Sequence, residues 1–243
     1  MRPTRPPSPR AVLALALLCA SAAATAAPDT CRASSGELRL TVVELYTSEG
    51  CSSCPPADRW LSGLKGRDDV LALAFHVDYW DRLGWKDRFA SPAYTERQAQ
   101  WRGLAGARFV YTPQIIVDGV DRGALPPRRP SAAVALEVQR EGDGYSATVT
   151  PTAAAPARLA AYWSRTENGH SSAIKAGENQ GATLHHDFVV RDYLPVAPWA
   201  AGAPQRLRFS PHAGHDPAHP RAVGLVVFDP ATGRPLQALR LGC

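Results

Sequence analysis

Beyond its amino-terminal segment the chain has no apolar run long enough to cross a bilayer, no block of basic residues and no second pair of closely spaced cysteines. The first absence excludes a permanent membrane helix in the body of the protein. The second argues against nucleic acid as a partner, because neutralising a phosphate backbone needs clustered Lys and Arg. The third weakens any structural zinc site, which wants four ligands in two short-spaced pairs. No internal repeat is present either, so a repeat array is excluded.

What the chain does have begins with Arg2, Arg5 and Arg10, an apolar run from Ala11 to Ala20, and the small residues Ser21-Ala-Ala-Ala-Thr-Ala-Ala27. That order is a secretory signal peptide spanning residues 1–26, too short in its apolar part to remain as an anchor. Cys19 follows Leu17-Leu18 rather than the small residue a lipoprotein signal needs, so lipidation is not expected. Cleavage removes three arginines and no acid, taking the formal charge from +5 to +2 and leaving 217 residues. That length suits one domain plus a smaller one. The expectation is an exported protein, periplasmic or secreted, in a compartment where disulfides persist.

Cys51-Ser52-Ser53-Cys54 lies between an apolar segment, Leu40–Tyr46, and Pro55-Pro56. The segment before it is β-branched and aromatic, with one internal carboxylate, Glu44, and predicts a buried strand. After it, Ala57–Leu64 has apolar residues at helical spacing and ends in Lys65-Gly66. Cys51 is thus placed where a strand's carboxyl end meets a helix's amino end. Free N–H groups and the helix dipole there favour an anion and lower a thiol's pKa. This is the layout of a thiol–disulfide exchange site, with Cys51 as nucleophile and Cys54 as resolving thiol. Glu49, two residues before Cys51, works in the opposite direction.

A second strand, Val70–Val77, follows closely enough to require a right-handed parallel crossover, so the residues after it sit near Cys51. Ser91-Pro92 opens a helix through about Trp101. Thr112-Pro113 heads a strand that ends in the Asp118-Gly119 hairpin turn. In thioredoxin-like folds a proline so placed is cis and packs on the cysteine pair, leaving Thr112 beside it to meet substrate. A further helix is expected over Ser131–Arg140. The order β-α-β-α-β-β-α predicts an α/β class, with a thioredoxin-like core over residues 27–141. Glu141-Gly-Asp-Gly144 then marks a boundary. Short strands at Tyr145–Thr150, Arg158–Ser164, Phe188–Leu194, Gln205–Ser210, Ala222–Asp229 and Leu236–Leu241 make residues 142–243 a small antiparallel, sandwich-like β domain. A long polar loop, Arg165–His185, interrupts it.

Val43–Pro56, Phe75-His76-Val77-Asp78-Tyr79-Trp80-Asp81, Gly84-Trp85-Lys86-Asp87 and Tyr111-Thr112-Pro113-Gln114 together resemble a family of exported bacterial proteins, domain of unknown function 1223. The resemblance is strong from Leu40 to Gly119 and looser through Val189-Val190-Arg191. It implies a thioredoxin-like fold and the location of a site, and no activity.

In thioredoxin-like oxidoreductases a carboxylate buried under the cysteine pair moves a proton to and from the inner sulfur. Glu44 is either that group or a strand residue paired with an arginine or facing solvent. Asp78, Trp80, Asp81, Trp85 and Lys86 would form a lip around the site, with Trp80 and Asp78 as substrate contacts; the alternative is that the tryptophans pack over the sheet edge. His76, in an apolar strand, reads as a core histidine. His185-His186-Asp187 and His212, His215 and His219 have ligand types at plausible spacing, yet read more simply as solvated loops. No cofactor is expected. Two function classes remain. One is an exported thiol–disulfide oxidoreductase acting on a protein or small-molecule thiol or disulfide. The other is a non-catalytic binding or envelope-assembly module with a structural Cys51–Cys54 bridge, or a copper-handling thiol protein.

Two cysteines are left over, Cys31 before the first core strand and Cys243 at the last residue. In an oxidising compartment they are expected to pair, joining the two ends of the chain. Otherwise Cys31 is a free thiol or one of the two bridges to another chain. In the chain-entropy model so long a loop stabilises by roughly 4–5 kcal/mol at most. Non-reducing peptide mapping tests it: one linked peptide should contain both residues, and free thiols at both ends would exclude the bridge.

Overall fold

The computed structural model describes Met1 and residues 31–121, 125–212, 214 and 216–243. The expected signal peptide, residues 1–26, lies outside the described residues. The chain runs β1 (Arg32–Ser34), β2 (Thr41–Thr47), α1 (Pro55–Ser62), β3 (Val70–His76), α2 (Pro92–Leu104), β4 (Gln114–Val117), β5 (Val120–Asp121) and β6 (Val134–Glu141). It continues with β7 (Gly144–Pro151), β8 (Arg158–Glu167), β9 (His170–Ala173), β10 (Thr183–His186), β11 (Val189–Ala200), β12 (Gln205–Phe209), β13 (Arg221–Phe228) and β14 (Pro235–Leu241).

Local rules account for the elements around the cysteines. β2 and β3 are buried throughout and pair in parallel, Thr41 opposite Val70 and Thr47 opposite His76. Ser91 caps α2 through the Ala93 amide, with Pro92 in the first turn. Asp118 and Gly119 both have positive φ, 52° and 78°, the conformation of a type I′ hairpin between β4 and β5. Gly233, at φ 71°, turns the β13–β14 hairpin under α2; a Cβ there would meet the Trp101 ring at 2.6 Å. No helix among the described residues is long and apolar enough to cross a membrane.

The expected fold class is overturned. The described residues are mostly β, 44% strand against 11% helix with two α-helices among them, not an α/β thioredoxin-like core followed by a small antiparallel β domain. An eight-stranded sheet of order β14-β13-β8-β11-β3-β2-β4-β5 takes strands from both halves of the chain. The halves join where β11 runs parallel to β3, Val189 opposite Ala74. The helix expected over Ser131–Arg140 is strand β6. Its burial alternates, with Val134, Leu136 and Val138 inward and Ala135 and Glu137 outward; that is the period of a strand, not of a helix. It pairs with β7 in a second sheet, β1-β6-β7-β12. The polar stretch expected as a loop over Arg165–His185 contains the end of β8 and the separate β9–β10 hairpin.

Three apolar cores result. One lies between the two large sheets, built by residues such as Leu136, Val149, Trp163, Phe209 and Leu225. The other two lie on opposite faces of β2 and β3. Val43 and Leu45 pack under α1 with Leu61, whereas Val42 and Tyr46 pack under α2 with Tyr94 and Trp101. Cys31 and Cys243 are bridged, their Cα atoms 6.0 Å apart, so the first strand is tied to the end of the chain.

Glu44 lies on the α2 face of β2 and is 2% exposed. It accepts from Arg97 at 2.8 Å, Trp101 Nε1 at 2.7 Å, Tyr162 Oη at 2.6 Å and Tyr46 Oη at 2.5 Å. Burial pushes its carboxyl up, but the Arg97 charge and these hydrogen bonds outweigh that and hold it below its ordinary value. A carboxyl with a depressed folded-state pKa stabilises above its unfolded value, and this is lost as pH falls through the folded one. Glu44→Ala, which strands Arg97 in the core, should therefore cost about 3–5 kcal/mol near neutral pH. The gap to wild type should narrow as pH drops below that of an ordinary carboxylate. Denaturant unfolding at both pH values checks it, and a loss under about 1 kcal/mol would mean that the carboxylate anchors nothing.

Candidate functional site around the Cys51–Cys54 disulfide

Cys51 and Cys54 form a disulfide with Cα atoms 5.4 Å apart, on the loop between β2 and α1. Both cysteines are 0% exposed, while Ser52 and Ser53 between them are exposed. Cys54 is the residue preceding α1, and its carbonyl accepts from the amides of Ala57 and Asp58. Pro55 and Pro56 have no N–H to offer. The free helix amides expected at the sulfurs are thus absent: two are missing by chemistry and two are already paired. The dipole of an eight-residue helix remains. One local donor does reach the pair, the Ser53 hydroxyl 3.4 Å from Cys51 Sγ.

Glu44 faces α2, on the side of β2 opposite α1, and its four donors occupy it fully. Its charge is paired with the Arg97 guanidinium. The buried carboxylate on the α1 side is Asp58, one helical turn after Cys54, which places the two side chains on one helix face. Asp58 accepts from Thr47 Oγ1 at 3.1 Å. Burial pushes its carboxyl above the ordinary value, against the pull of His76 and His186. A sequence signal existed: an acidic residue at i+4 from the second cysteine, on the same face as buried Leu61.

Asp58 belongs to a buried group that includes Glu49, His76, Asp87 and His186. His76 Nδ1 donates to Asp87 Oδ2 at 2.7 Å, and the same oxygen accepts the Glu49 amide at 2.8 Å. Burial lowers the His76 pKa and raises that of Asp87, but their mutual attraction reverses both. His76 is held above its ordinary value and Asp87 below, as an ion pair. His76 Nε2 has no hydrogen-bond partner, so His76 is a core histidine satisfied on one side alone. Glu49 takes the Trp85 indole N–H at 2.7 Å on one oxygen, with His186 Nε2 3.4 Å from the other.

The expected lip residues divide. Trp80 packs against Gly50, where a Cβ would meet its own at 3.1 Å, and donates to Thr112 Oγ1 at 2.8 Å. That bond joins Thr112, which precedes the cis Thr112–Pro113 bond, to the tryptophan packed on Gly50. Asp78 turns away and accepts from Thr95 on α2 at 2.6 Å, and Asp81 accepts the Asp87 amide at 3.1 Å. Among the described residues, no group of three or more His, Cys, Asp or Glu side chains is arranged to hold an ion. His215 lies outside the described residues.

Sequence reasoning also missed the β9–β10 hairpin as part of the site. Asn179 Nδ2 donates to the carbonyls of Glu49 at 2.8 Å and Cys51 at 3.0 Å, and Glu178 accepts the Ser52 amide at 3.0 Å.

A family model described as "Protein of unknown function (DUF1223)" matches residues 42–228. No curated protein matches the chain. Among solved structures, protein AGR_C_4864 from Agrobacterium tumefaciens is similar at 26% identity and a TM-score of 0.61, over 85% of this chain and 96% of that one. HBP35 of Porphyromonas gingivalis is similar at 14% identity and a TM-score of 0.59, over 85% and 76%, a likeness of fold alone.

The raised Asp58 carboxyl has a measurable consequence. A carboxyl that binds its proton more tightly folded than unfolded loses stability for the protein as pH rises from its unfolded to its folded value. Asp58→Asn keeps an acceptor for Thr47 and removes that loss. The variant should melt at a higher temperature than wild type near neutral pH, and the difference should vanish in acid. A variant less stable than wild type at neutral pH would mean that the carboxylate is compensated there.

Proposed function

The chain belongs to the DUF1223 family, whose members have no assigned function, and from that premise we propose that it is an exported thiol–disulfide exchange protein. The observation that carries the reading is the disulfide closing on the first turn of α1 with the buried Asp58 one turn below it. Export is supported by the amino-terminal pattern and by two disulfides, which a reducing compartment would not sustain.

In the oxidised protein a substrate thiolate attacks Cys51 Sγ, breaking the Cys51–Cys54 bond and forming a mixed disulfide. Cys54 leaves as a thiolate, and the buried Asp58 carboxyl one helical turn away, whose pKa burial raises, is the group placed to pass it a proton. A second substrate thiolate then attacks the substrate sulfur and releases Cys51. The substrate gains a disulfide and the protein is reduced by two electrons. In reverse, the Cys51 thiolate, stabilised by the Ser53 hydroxyl and the helix dipole, attacks a substrate disulfide, and Cys54 resolves the adduct. Trp80, packed against Gly50, and Thr112, which accepts its indole N–H, form the wall that substrate meets.

One observation favours a second reading. Both cysteines are fully buried, as a permanent structural bridge would be, in which case the protein is a binding or assembly module. The reduction potential separates the two, since structural bridges lie below about −300 mV. For exchange, Cys54→Ala expressed in its native envelope should accumulate partners released by dithiothreitol, and Cys51→Ala should not. After mild reduction, alkylation near neutral pH should reach Cys51 well before Cys54. Capture by neither variant, or Cys54 reacting first, would reject the assignment.

A further inference from the structure

Among the described residues the β9–β10 hairpin pairs with no other strand; its two strands form a two-stranded sheet of their own. The chain enters it at Gly169 and leaves it at Phe188, both at positive φ, 74° and 56°. Its connection, residues 174–182, is closed on itself by Ile174 N to Ala182 O and Gly181 N to Ile174 O, both at 2.9 Å. That closed tip reaches back over the cysteines. Gly177 sits against the Trp85 side chain so closely that a Cβ would meet that of Trp85 at 3.2 Å. Beyond it, Glu178 and Asn179 make three hydrogen bonds to the cysteine loop, and every partner there is main chain: the Ser52 amide and the Glu49 and Cys51 carbonyls. Hydrogen bonding from the Ser52 side chain as well as from its amide holds the Glu178 carboxyl below its ordinary value.

A donor-and-acceptor pair laid along a backbone is what an extended polypeptide offers. Strand addition recognises a partner through main-chain N–H and C=O groups of this kind. A small thiol offers one sulfur and cannot match them. We propose that Glu178 and Asn179 occupy the place of a polypeptide substrate on residues 49–52, so that the hairpin is a latch closing the disulfide until an extended chain displaces it. This rests on the exchange reading and deepens it: the substrate is a polypeptide segment, and access to Cys51 is gated from within the same chain. A latch over the cysteine loop accords with two fully buried cysteines that have exposed serines between them.

The test reads access to the disulfide, independently of any native substrate. Dithiothreitol reduces Cys51–Cys54 to two thiols as it closes into its own cyclic disulfide. In Glu178→Ala/Asn179→Ala that reaction should run on the order of ten- to a hundred-fold faster than in wild type, the weight of two or three hydrogen bonds on the closed state. A cysteine-free, uncharged peptide of about ten residues should then slow the reaction of the double variant by occupying the vacated main chain. In the wild-type protein the Ser52 amide should exchange its hydrogen slowly, a readout that needs no variant. Equal dithiothreitol rates, or a Ser52 amide exchanging like a free one, would overturn the latch. A faster variant that the peptide does not protect would overturn the polypeptide occupant. A faster variant alongside a Cys54→Ala protein that captures nothing supports the latch and rejects exchange.

Discussion

One buried carboxylate holds the halves of this protein in register. Glu44, on β2, is met by Arg97 and Trp101 from α2 and by Tyr162 from β8, far along the chain. A buried charge without partners costs several kcal/mol, and hydrogen bonds to a charged group each return about 1.5–3 kcal/mol. Those donors must therefore converge if the sheet is to close around Glu44, and their convergence fixes α2 over β2 and β8 on the same face. The Arg97 guanidinium lies 4.7 Å from the Tyr162 ring centre and 5.0 Å from that of Trp101, filling the gap with cation–π contact. With α2 so placed, the other face of β2 is left for α1 and the cysteines.

The two disulfides sit in different physical settings. Cys31–Cys243 spans a separation of 212 residues and acts on the unfolded chain by removing freedom from its ends. Cys51–Cys54 joins residues three positions apart, where that entropic gain is small, and it lies against a buried group of carboxylates and imidazoles. The second has a buried carboxylate, Asp58, one helical turn away. That asymmetry separates a tie from a site.

Much of the chain's local structure was legible from residue order. Ser91-Pro92 announces α2, Asp118-Gly119 announces the β4–β5 turn, and the continuous apolar runs of β2 and β3 announce buried parallel strands. Two segments were misread for physical reasons. Residues 131–140 carry helix-compatible side chains, and their two-residue alternation is decided by pairing with β7. The stretch from Arg165 to His185 is polar enough for a solvated loop, but the charges at its start are paired in the interior. Arg165 binds Glu167 and Asp192, and Glu167 binds His170, so the segment folds back as strands with those groups buried.

Residue order by itself determined the cysteine pair, the strand before it, the helix after it and the proline-headed strand beside them, because each depends on neighbours a few positions away. Only the tertiary structure decided the class of the fold, through the meeting of β3 and β11 that merges two groups of strands into one sheet. It also decided the chemistry of the site. Glu44 and Asp58 are both carboxylates a few residues from the cysteines, and nothing in their spacing tells which is neutralised by distant donors and which is left under-compensated. Burial and long-range pairing set that difference, and they exist only once the chain has closed on itself.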